Sequence, residues 1–353
     1  MKKKKIAYLT GTRAEFGLMK VVLKEIEKDK KLELQLLVTG MHLMDEFGYT
    51  LSEVEKKFKV NQVIEGIYQK DDRQSMARFV GKCTRDVIEA LIKLGPDAVM
   101  VLGDRGEQLA MAIAAAYLAI PIIHLHGGEI TTMVDDKARN AIAQLADWHL
   151  PASAGAKNRL IKMGVEKKRI KVAGAPGLDQ IRKLPKVNKR NLIVVLQHPD
   201  ENERLAGKQM EKTLKAVVNF QLPVMVIYPN ADAGGRSIIR VIKEYTKKYP
   251  KLIKTFKTIK REQYLNLLSQ AWVLVGNSSG GLIESPTLNL SVVNVGPRQK
   301  GRERARNVID VGYKIKAIEK AIMEALALRL DLLKNPYGDG KTTNRVIKFL
   351  KNL

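Results

Sequence analysis

Short apolar runs recur along the chain, each ending in a polar, glycine-bearing turn. Longer stretches follow in which apolar residues return every three or four positions. IAYLTG, LQLLVTG, AVMVLGD, IPIIHLHGG, WHLPAS and IKVAGAP make a first series of runs; LIVVLQHP, VMVIYPN, LIKTFKTI, WVLVGNSSGG and SVVNVG make a second. Runs of this length bounded by turn residues predict strands, and helical periodicity between them predicts crossover helices. The alternation predicts α/β layers built on parallel, doubly wound sheets. Between the two series IRKLPKVNKRN, near residues 181–191, is polar and proline-containing and reads as a linker. The expected division is a Rossmann-like domain over 1–181, a second over 182–335, and a C-terminal segment, 336–353. A helix is predicted from Ile315 to Leu333. NPYGDGKTT breaks it, and NRVIKFLKNL forms a last helix that could pack back on the first domain.

The polar residues cluster where strands end: TGTRAEFG, TGMH, GDRGE, HGGE, GAPG, QHPDEN, PNADAGG, GNSSGG and GPRQKGRE. Open parallel sheets bind ligands beyond the carboxyl ends of their strands, often at helix N-termini. Two such sheets facing each other would gather these clusters around one interdomain cleft. The densest cluster holds Asp104, Arg105, His124, His126 and Glu129, with Asp135 and Asp136 close behind. A core strand gains nothing by ending in acids, bases and imidazoles, so these are acid–base candidates. His124 and His126, two apart, are expected on one strand face, which keeps a metal site open as an alternative. His42 and His149 read as structural.

Four other clusters suit an anion. TGTRAEFG lacks the GxGxxG spacing of a dinucleotide site; Arg13 either faces the crevice toward a phosphate or is a surface residue on a turn. In GNSSGGLIESP small residues let a ligand approach the backbone. Ser278 and Ser279 would contact a diphosphate or merely cap a helix, and Glu284 would hold ribose hydroxyls. In GPRQKGRERARN, Arg298 is aimed at phosphate, while Arg302, Arg304 and Arg306 are expected to form a solvated face. Asn230 and Asp232, in PNADAGG, make a nucleotide or interdomain contact or an ordinary turn.

Composition narrows the partners. The 353 residues suggest about two domains, and 45% hydrophobic residues suffice for substantial cores. A single cysteine, Cys83, excludes an intramolecular disulfide. The N-terminal MKKKKIAYLT has no signal-peptide pattern and no apolar stretch has membrane-span length, so a soluble cytoplasmic protein is expected. A formal charge of +25 favours anionic partners, yet the lysines are scattered and aromatics make up only 5%. That argues against a nucleic-acid partner and leaves a phosphorylated small molecule.

Taken together, TGTRAEFG, VTGMHLMDEFG, GDRGE, HLHGGE with DDKARNAI, GAPGLD, QHP, PNAD, YLNLL, GNSSGGLIES and GPRQKGRERARNV resemble the hydrolysing UDP-N-acetylglucosamine 2-epimerases, in the branch serving sialic and related nonulosonic acids. The resemblance runs in order from residue 6 to about 312. It implies a GT-B fold whose two Rossmann-like domains face a cleft, with the acid–base side in the first domain and the nucleotide side in the second. It implies release of free N-acetylmannosamine and UDP, no cofactor and no essential metal, a nucleotide-sugar partner, and a homodimer or homotetramer. Arg13, Arg105, His198, Asn230, Ser278, Ser279, Glu284 and Arg298 fall where the family binds nucleotide and diphosphate; Asp104 and Asp135 match its catalytic acids. Two departures matter. His126 stands where some relatives carry a catalytic Glu, leaving the third acid–base group open between His126 and Glu129. Asn140 stands where this branch often has His.

The implied chemistry accounts for these residues. Inversion at C2 has no adjacent carbonyl to acidify the C–H bond, so departure of UDP must accompany or precede proton loss, giving a 2-acetamidoglucal. Water then adds at C1 while C2 is protonated on the opposite face. That requires electrostatic stabilisation of the leaving diphosphate and proton-transfer groups around the sugar. The rival readings are a non-hydrolysing epimerase, a retaining GT-B glycosyltransferase, and a non-catalytic nucleotide-sugar or nucleic-acid-binding protein.

Overall fold

Six parallel strands build each half of the protein in the computed structural model, which describes residues 2–66, 70, 72–131, 135–182, 184, 190–330 and 333–353. The first sheet comprises β1 (Lys4–Thr10), β2 (Leu32–Val38), β3 (Val60–Val63), β4 (Ala98–Leu102), β5 (Ile122–Leu125) and β6 (Trp148–Leu150). Its order is β3-β2-β1-β4-β5-β6. The second comprises β7 (Leu192–Leu196), β8 (Val224–Ile227), β9 (Ile253–Phe256), β10 (Ala271–Gly276), β11 (Ser291–Val295) and β12 (Val308–Val311), in the order β12-β11-β10-β7-β8-β9. Each is the doubly wound order in which the chain reverses direction across the sheet beside its first strand. The reversal falls between β1 and β4 in one half and between β7 and β10 in the other.

Thirteen helices of the described residues accompany the strands. In the first half they are α1 (Arg13–Lys28), α2 (Leu51–Glu55), α3 (Arg73–Leu94), α4 (Gly106–Tyr117), α5 (Asp135–Leu145), α6 (Ala154–Lys162) and α7 (Leu178–Ile181). α8 (Ala206–Val218), α9 (Gly235–Lys248), α10 (Arg261–Gln270), α11 (Gly280–Ile283) and α12 (Ile315–Ala327) follow in the second, and α13 (Thr342–Lys351) closes the chain. No described helix is long and apolar enough to cross a membrane.

Central strands are continuous apolar runs because helices cover both faces of a parallel sheet. Every residue of AVMVL in β4 and LIVVL in β7 is buried. The edge strands explain what the apolar pattern missed. VNQV in β3 and VIDV in β12 are only partly covered, so neither carries an apolar run, and no strand was expected there. IKVAGAP, by contrast, was expected as a strand and is not one. Ile170 makes a single bridge to His149, and Lys171 and Ala173 donate to the His149 and Pro151 carbonyls at 2.9 and 3.0 Å. Gly174, at φ +93°, then turns the chain away. The helix expected to reach Leu333 ends at Ala327.

The chain divides into two compact units: Met1–Glu129, Val134–Gln180 and Tyr337–Leu353 in the first, Ile130–Met133 and Ile181–Pro336 in the second. Most of the expected linker, residues 183 and 185–189, lies outside the described residues. α13 belongs to the first unit. Asp179 of α7 accepts from the Thr342 and Thr343 amides at 2.9 and 2.6 Å, satisfying donors that a helix start leaves open. Val346, Phe349 and Leu350 join the core of β1, β2 and α1, with Phe349 edge-on to Trp148 at 5.5 Å. Burying each such side chain contributes roughly 1.5–3 kcal/mol.

Candidate active site

The strand ends of the first unit are tied together at the reversal point. Gln108 of α4 donates to the Leu9 carbonyl at 2.7 Å and accepts from the Leu102 amide at 3.0 Å, bridging β1 and β4. Glu107, 1% exposed, packs against Gly11 so closely that a Cβ there would overlap its carboxylate. Arg105 donates to Glu107 through Nε at 2.8 Å. Arg13 donates to both oxygens of Glu53 in α2, at 2.5 and 2.6 Å. The two first-unit arginines expected at phosphate are thus each paired with a carboxylate of their own unit.

Beneath this loop lies an acid the motif reading passed over. Glu15, 6% exposed, accepts from the Tyr8 hydroxyl, from Thr10 Oγ1 at 2.7 Å and from the Gly11 amide at 3.2 Å. Burial first, then the charge of Glu107, hold its carboxyl well above the usual range. Thr10 directs its proton to Glu15, so it accepts from His42 Nε2 at 3.1 Å, and His42 Nδ1 accepts from Thr50 at 2.7 Å. His42 is fully enclosed.

Asp104, His126, Glu129 and α5 converge through Arg139, which the sequence reading did not single out for chemistry. Its Nη2 donates to the Asp104 carboxylate; Nη1 donates to the Asp136 carboxylate and, at 2.9 Å, to the Glu129 carbonyl. Asp136, in the first turn of α5, reaches this cation. Asp135 opens the helix, half-buried, where the helix dipole favours a negative charge. Asn140 is exposed on α5.

His124 and His126 do not share a strand face. β5 ends at Leu125, and His126 sits at φ +60°, a left-handed conformation uncommon for a side chain larger than glycine. The alternation rule stops with the strand. His124 donates from Nε2 to the Gly103 carbonyl at 2.7 Å, beneath the turn that presents Asp104. His126 turns instead to Glu129, its Nδ1 2.7 Å from Oε1, while its Nε2 is buried with no hydrogen-bond partner among the described residues. A carboxylate on one ring nitrogen fixes the orientation of the ring, which a proton-transfer histidine requires. Among the described residues no three His, Cys, Asp or Glu side chains are grouped as metal ligands.

The second unit gathers its polar groups at the β7–β10 reversal. His198 follows β7; its amide donates to Asn277 Oδ1 at 2.7 Å, Asn277 Nδ2 returns to its carbonyl at 3.0 Å, and the Asn230 amide donates to its Nδ1 at 3.2 Å. Ser278 and Ser279 follow β10, both half-buried. Ser279 stands at the N-cap of α11 without a side-chain capping bond, so capping does not account for it. Glu284, 3% exposed, is paired with Arg261 beside the buried hydroxyl of Tyr264. Arg298 lies 3.8 Å from Asp232, linking the ends of β11 and β8.

The expected solvated arginine face is corrected in part. Arg306 is exposed, but Arg302 is buried and donates to Gln299 Oε1 at 2.9 Å, and Gln299 donates to the Asn277 carbonyl at 2.8 Å. Arg304, half-buried, donates to the Gln299 carbonyl at 2.8 Å and pairs with Asp310. Residues 302–305 are coil that folds back on Gln299, which takes Arg302 and, in part, Arg304 out of solvent.

The buried histidines predict a pH dependence. Burial is the first cause in each case, lowering His42 and His149 from 6.5 to about 4 and His124 from 6.5 to about 3. Between 6.5 and these values the unfolded chain takes up protons that the folded one does not. Each histidine's contribution is therefore complete above pH 6.5 and is lost as pH falls, at about 1.4 kcal/mol per unit. Glu15, with a raised carboxyl, works in the opposite sense, its contribution declining as pH rises. Gln keeps a donor where His124 Nε2 sits, so His124→Gln should flatten the acid loss by about 1.4 kcal/mol per unit. Urea unfolding from pH 6.5 to 4 checks this; parallel slopes for variant and wild type would refute it.

Two doubly wound parallel units in one chain define a GT-B-type fold. A solved structure shares it over the whole length: the UDP-GlcNAc 2-epimerase from Neisseria meningitidis bound to UDP-GlcNAc, at TM-score 0.79 and 17% identity, covering 99% of this chain and 100% of that one. Among curated proteins, the UDP-N,N'-diacetylbacillosamine 2-epimerase (hydrolyzing) of Legionella pneumophila is 38% identical over 99% of this chain and 96% of its own length. The GDP/UDP-N,N'-diacetylbacillosamine 2-epimerase (hydrolyzing) of Campylobacter jejuni is 34% identical over 88% and 85%. The profile of the family described as UDP-N-acetylglucosamine 2-epimerase matches residues 24–351. The chain belongs to the UDP-N-acetylglucosamine 2-epimerase family.

Proposed function

We propose that this protein is a hydrolysing 2-epimerase, which inverts C2 of a UDP-linked 2-acetamido sugar and releases free sugar and UDP. UDP-N,N'-diacetylbacillosamine is the first candidate substrate and UDP-N-acetylglucosamine the second. The observation that carries this reading is full-length similarity to a hydrolysing bacillosamine epimerase at 38% identity. It moves the preferred sugar away from the N-acetylglucosamine expected from motifs alone.

The division of polar groups between the units supports the reading. The first unit supplies acids and an oriented imidazole: Asp104, His126, Glu129 and Asp135. One group removes the C2 proton as the C1–oxygen bond to UDP breaks, leaving a 2-acetamidoglucal. Another delivers a proton to the opposite face of C2 while water adds at C1. Each transfer of this kind is worth typically 10²–10⁴-fold. In the second unit Ser278, Ser279 and Arg298 act on the diphosphate, which leaves more readily as its charge is stabilised. Glu284 acts on the ribose hydroxyls, and His198 and Asn230 complete the nucleotide contacts.

The test is turnover of each UDP-sugar in D₂O, followed by proton and phosphorus NMR. Free C2-epimer carrying deuterium at C2, together with UDP, is the expected product. A UDP-linked epimer would mean the non-hydrolysing reaction, and sugar transfer only with an added acceptor would mean a glycosyltransferase.

A further inference from the structure

Arg139, 1% exposed, is the largest fully buried side chain among the described residues. A buried cation is costly unless it is paired, and this one is paired with three different segments. It reaches Asp104 after β4, Asp136 in the first turn of α5, and the Glu129 carbonyl of the loop after β5. Asp104 and Asp136 converge on the same guanidinium, so its removal would take away the cation that the two carboxylates share. The Glu129 carbonyl is the backbone of the residue whose side chain holds His126 Nδ1 at 2.7 Å. Moving Arg139 would therefore disturb Asp104 and the His126 ring together. A lysine could place a charge there, but one ammonium on a flexible stem cannot reproduce a planar fork serving three acceptors.

We infer that Arg139 is a positioning residue of the epimerase reaction, setting the Asp104 carboxylate and the His126–Glu129 pair in one arrangement. The inference rests on the reading of the first unit as the acid–base side. It assigns Arg139 no contact with the nucleotide, whose proposed ligands lie in the second unit and, in the first, at Arg13 and Arg105. Its effect should fall on kcat and leave UDP affinity in place.

The experiment compares Arg139→Ala and Arg139→Lys with wild type, using the UDP-sugar that wild type turns over. It measures kcat, KM, UDP affinity by calorimetry, and the response of kcat to added guanidinium at concentrations well below denaturing. A misplacement of about 1 Å can cost roughly 100-fold, so a kcat loss of about that size is expected for the alanine variant and a smaller one for lysine. UDP affinity should be unchanged, and guanidinium should restore part of the alanine variant's kcat without stimulating wild type. Unchanged kcat would overturn the inference, and so would UDP affinity falling in parallel with kcat, or a loss that neither guanidinium nor lysine relieves. Should the alanine variant fail to fold, the lysine variant decides: reduced kcat with intact UDP affinity supports the role, and wild-type kcat removes it. Absence of wild-type turnover on either sugar would instead refute the functional reading.

Discussion

Asp104→Asn should abolish turnover while UDP binding persists. Asparagine is nearly isosteric, and its Oδ1 can still accept from Arg139, so the tie to α5 survives the change. What disappears is the capacity to take a proton. Loss of a positioned acid–base group costs typically 10²–10⁴-fold, and the larger figure is expected here because the C2–H bond is not activated by a carbonyl. Most groups proposed for UDP lie in the second unit, and the change leaves the charges of Arg13 and Arg105 in place. Phosphorus NMR of UDP release, with calorimetry of UDP binding on the same sample, separates the two effects. Wild-type turnover in the variant would remove Asp104 from the mechanism. Loss of both activity and UDP affinity would make the residue structural.

Gly276→Ala should be among the most destabilising single-methyl changes in the protein. Gly276 ends β10 beside β7, at φ +138°, a backbone conformation that L side chains rarely adopt. A Cβ built there would lie 2.6 Å from the Leu196 carbonyl carbon and 3.2 Å from the Gln197 amide nitrogen. Both neighbours are main chain, at the end of central strand β7 and just after it, and cannot rotate aside. Backbone strain and overpacking together should cost about 4 kcal/mol or more, which places the change in the severe tail of point substitutions. For a unit of this size that lowers the melting temperature by roughly 10 °C. Gly81→Ala, by contrast, adds its methyl to an exposed position inside α3 with nothing within 4 Å, and should stabilise by roughly 0.5–1 kcal/mol. Denaturant unfolding of the two variants tests the opposite signs. A neutral Gly276→Ala would mean that β7 and β10 can separate at this point.

Much of the candidate site was legible before any coordinates. Asp104, Arg105, His126 and Glu129 were marked because acids, bases and imidazoles ended apolar runs. His198 and Asn230 likewise stand where strands end, and their backbone and ring atoms meet. The reading weakened where it had to infer partners. That Arg13 pairs with Glu53 and Arg105 with Glu107 was not visible in the motifs that aimed both at phosphate. Glu15 sits in the first turn of α1, and no motif announces that Tyr8 and Thr10 close on it, with His42 behind Thr10. Arg139 lies within DDKARNAI, where a lone arginine in an amphipathic helix reads as solvated, yet it is 1% exposed.

Two kinds of information separate here. Burial repeats with the geometry of the backbone, so the pattern of apolar residues was enough to specify alternating strands and helices, two doubly wound halves, and polar clusters at the ends of central strands. Two of the four edge strands, β3 and β12, escaped it because partial exposure relaxes the demand for apolar residues. Pairing has no such period. Asp104 meets Arg139 from 35 positions away, and Asp200 meets the Tyr313 hydroxyl from 113. Such contacts follow from which strand ends the crossover connections bring together. Residue order supplies the groups; strand order across each sheet chooses their partners, and through them which acids stay charged and which way His126 points.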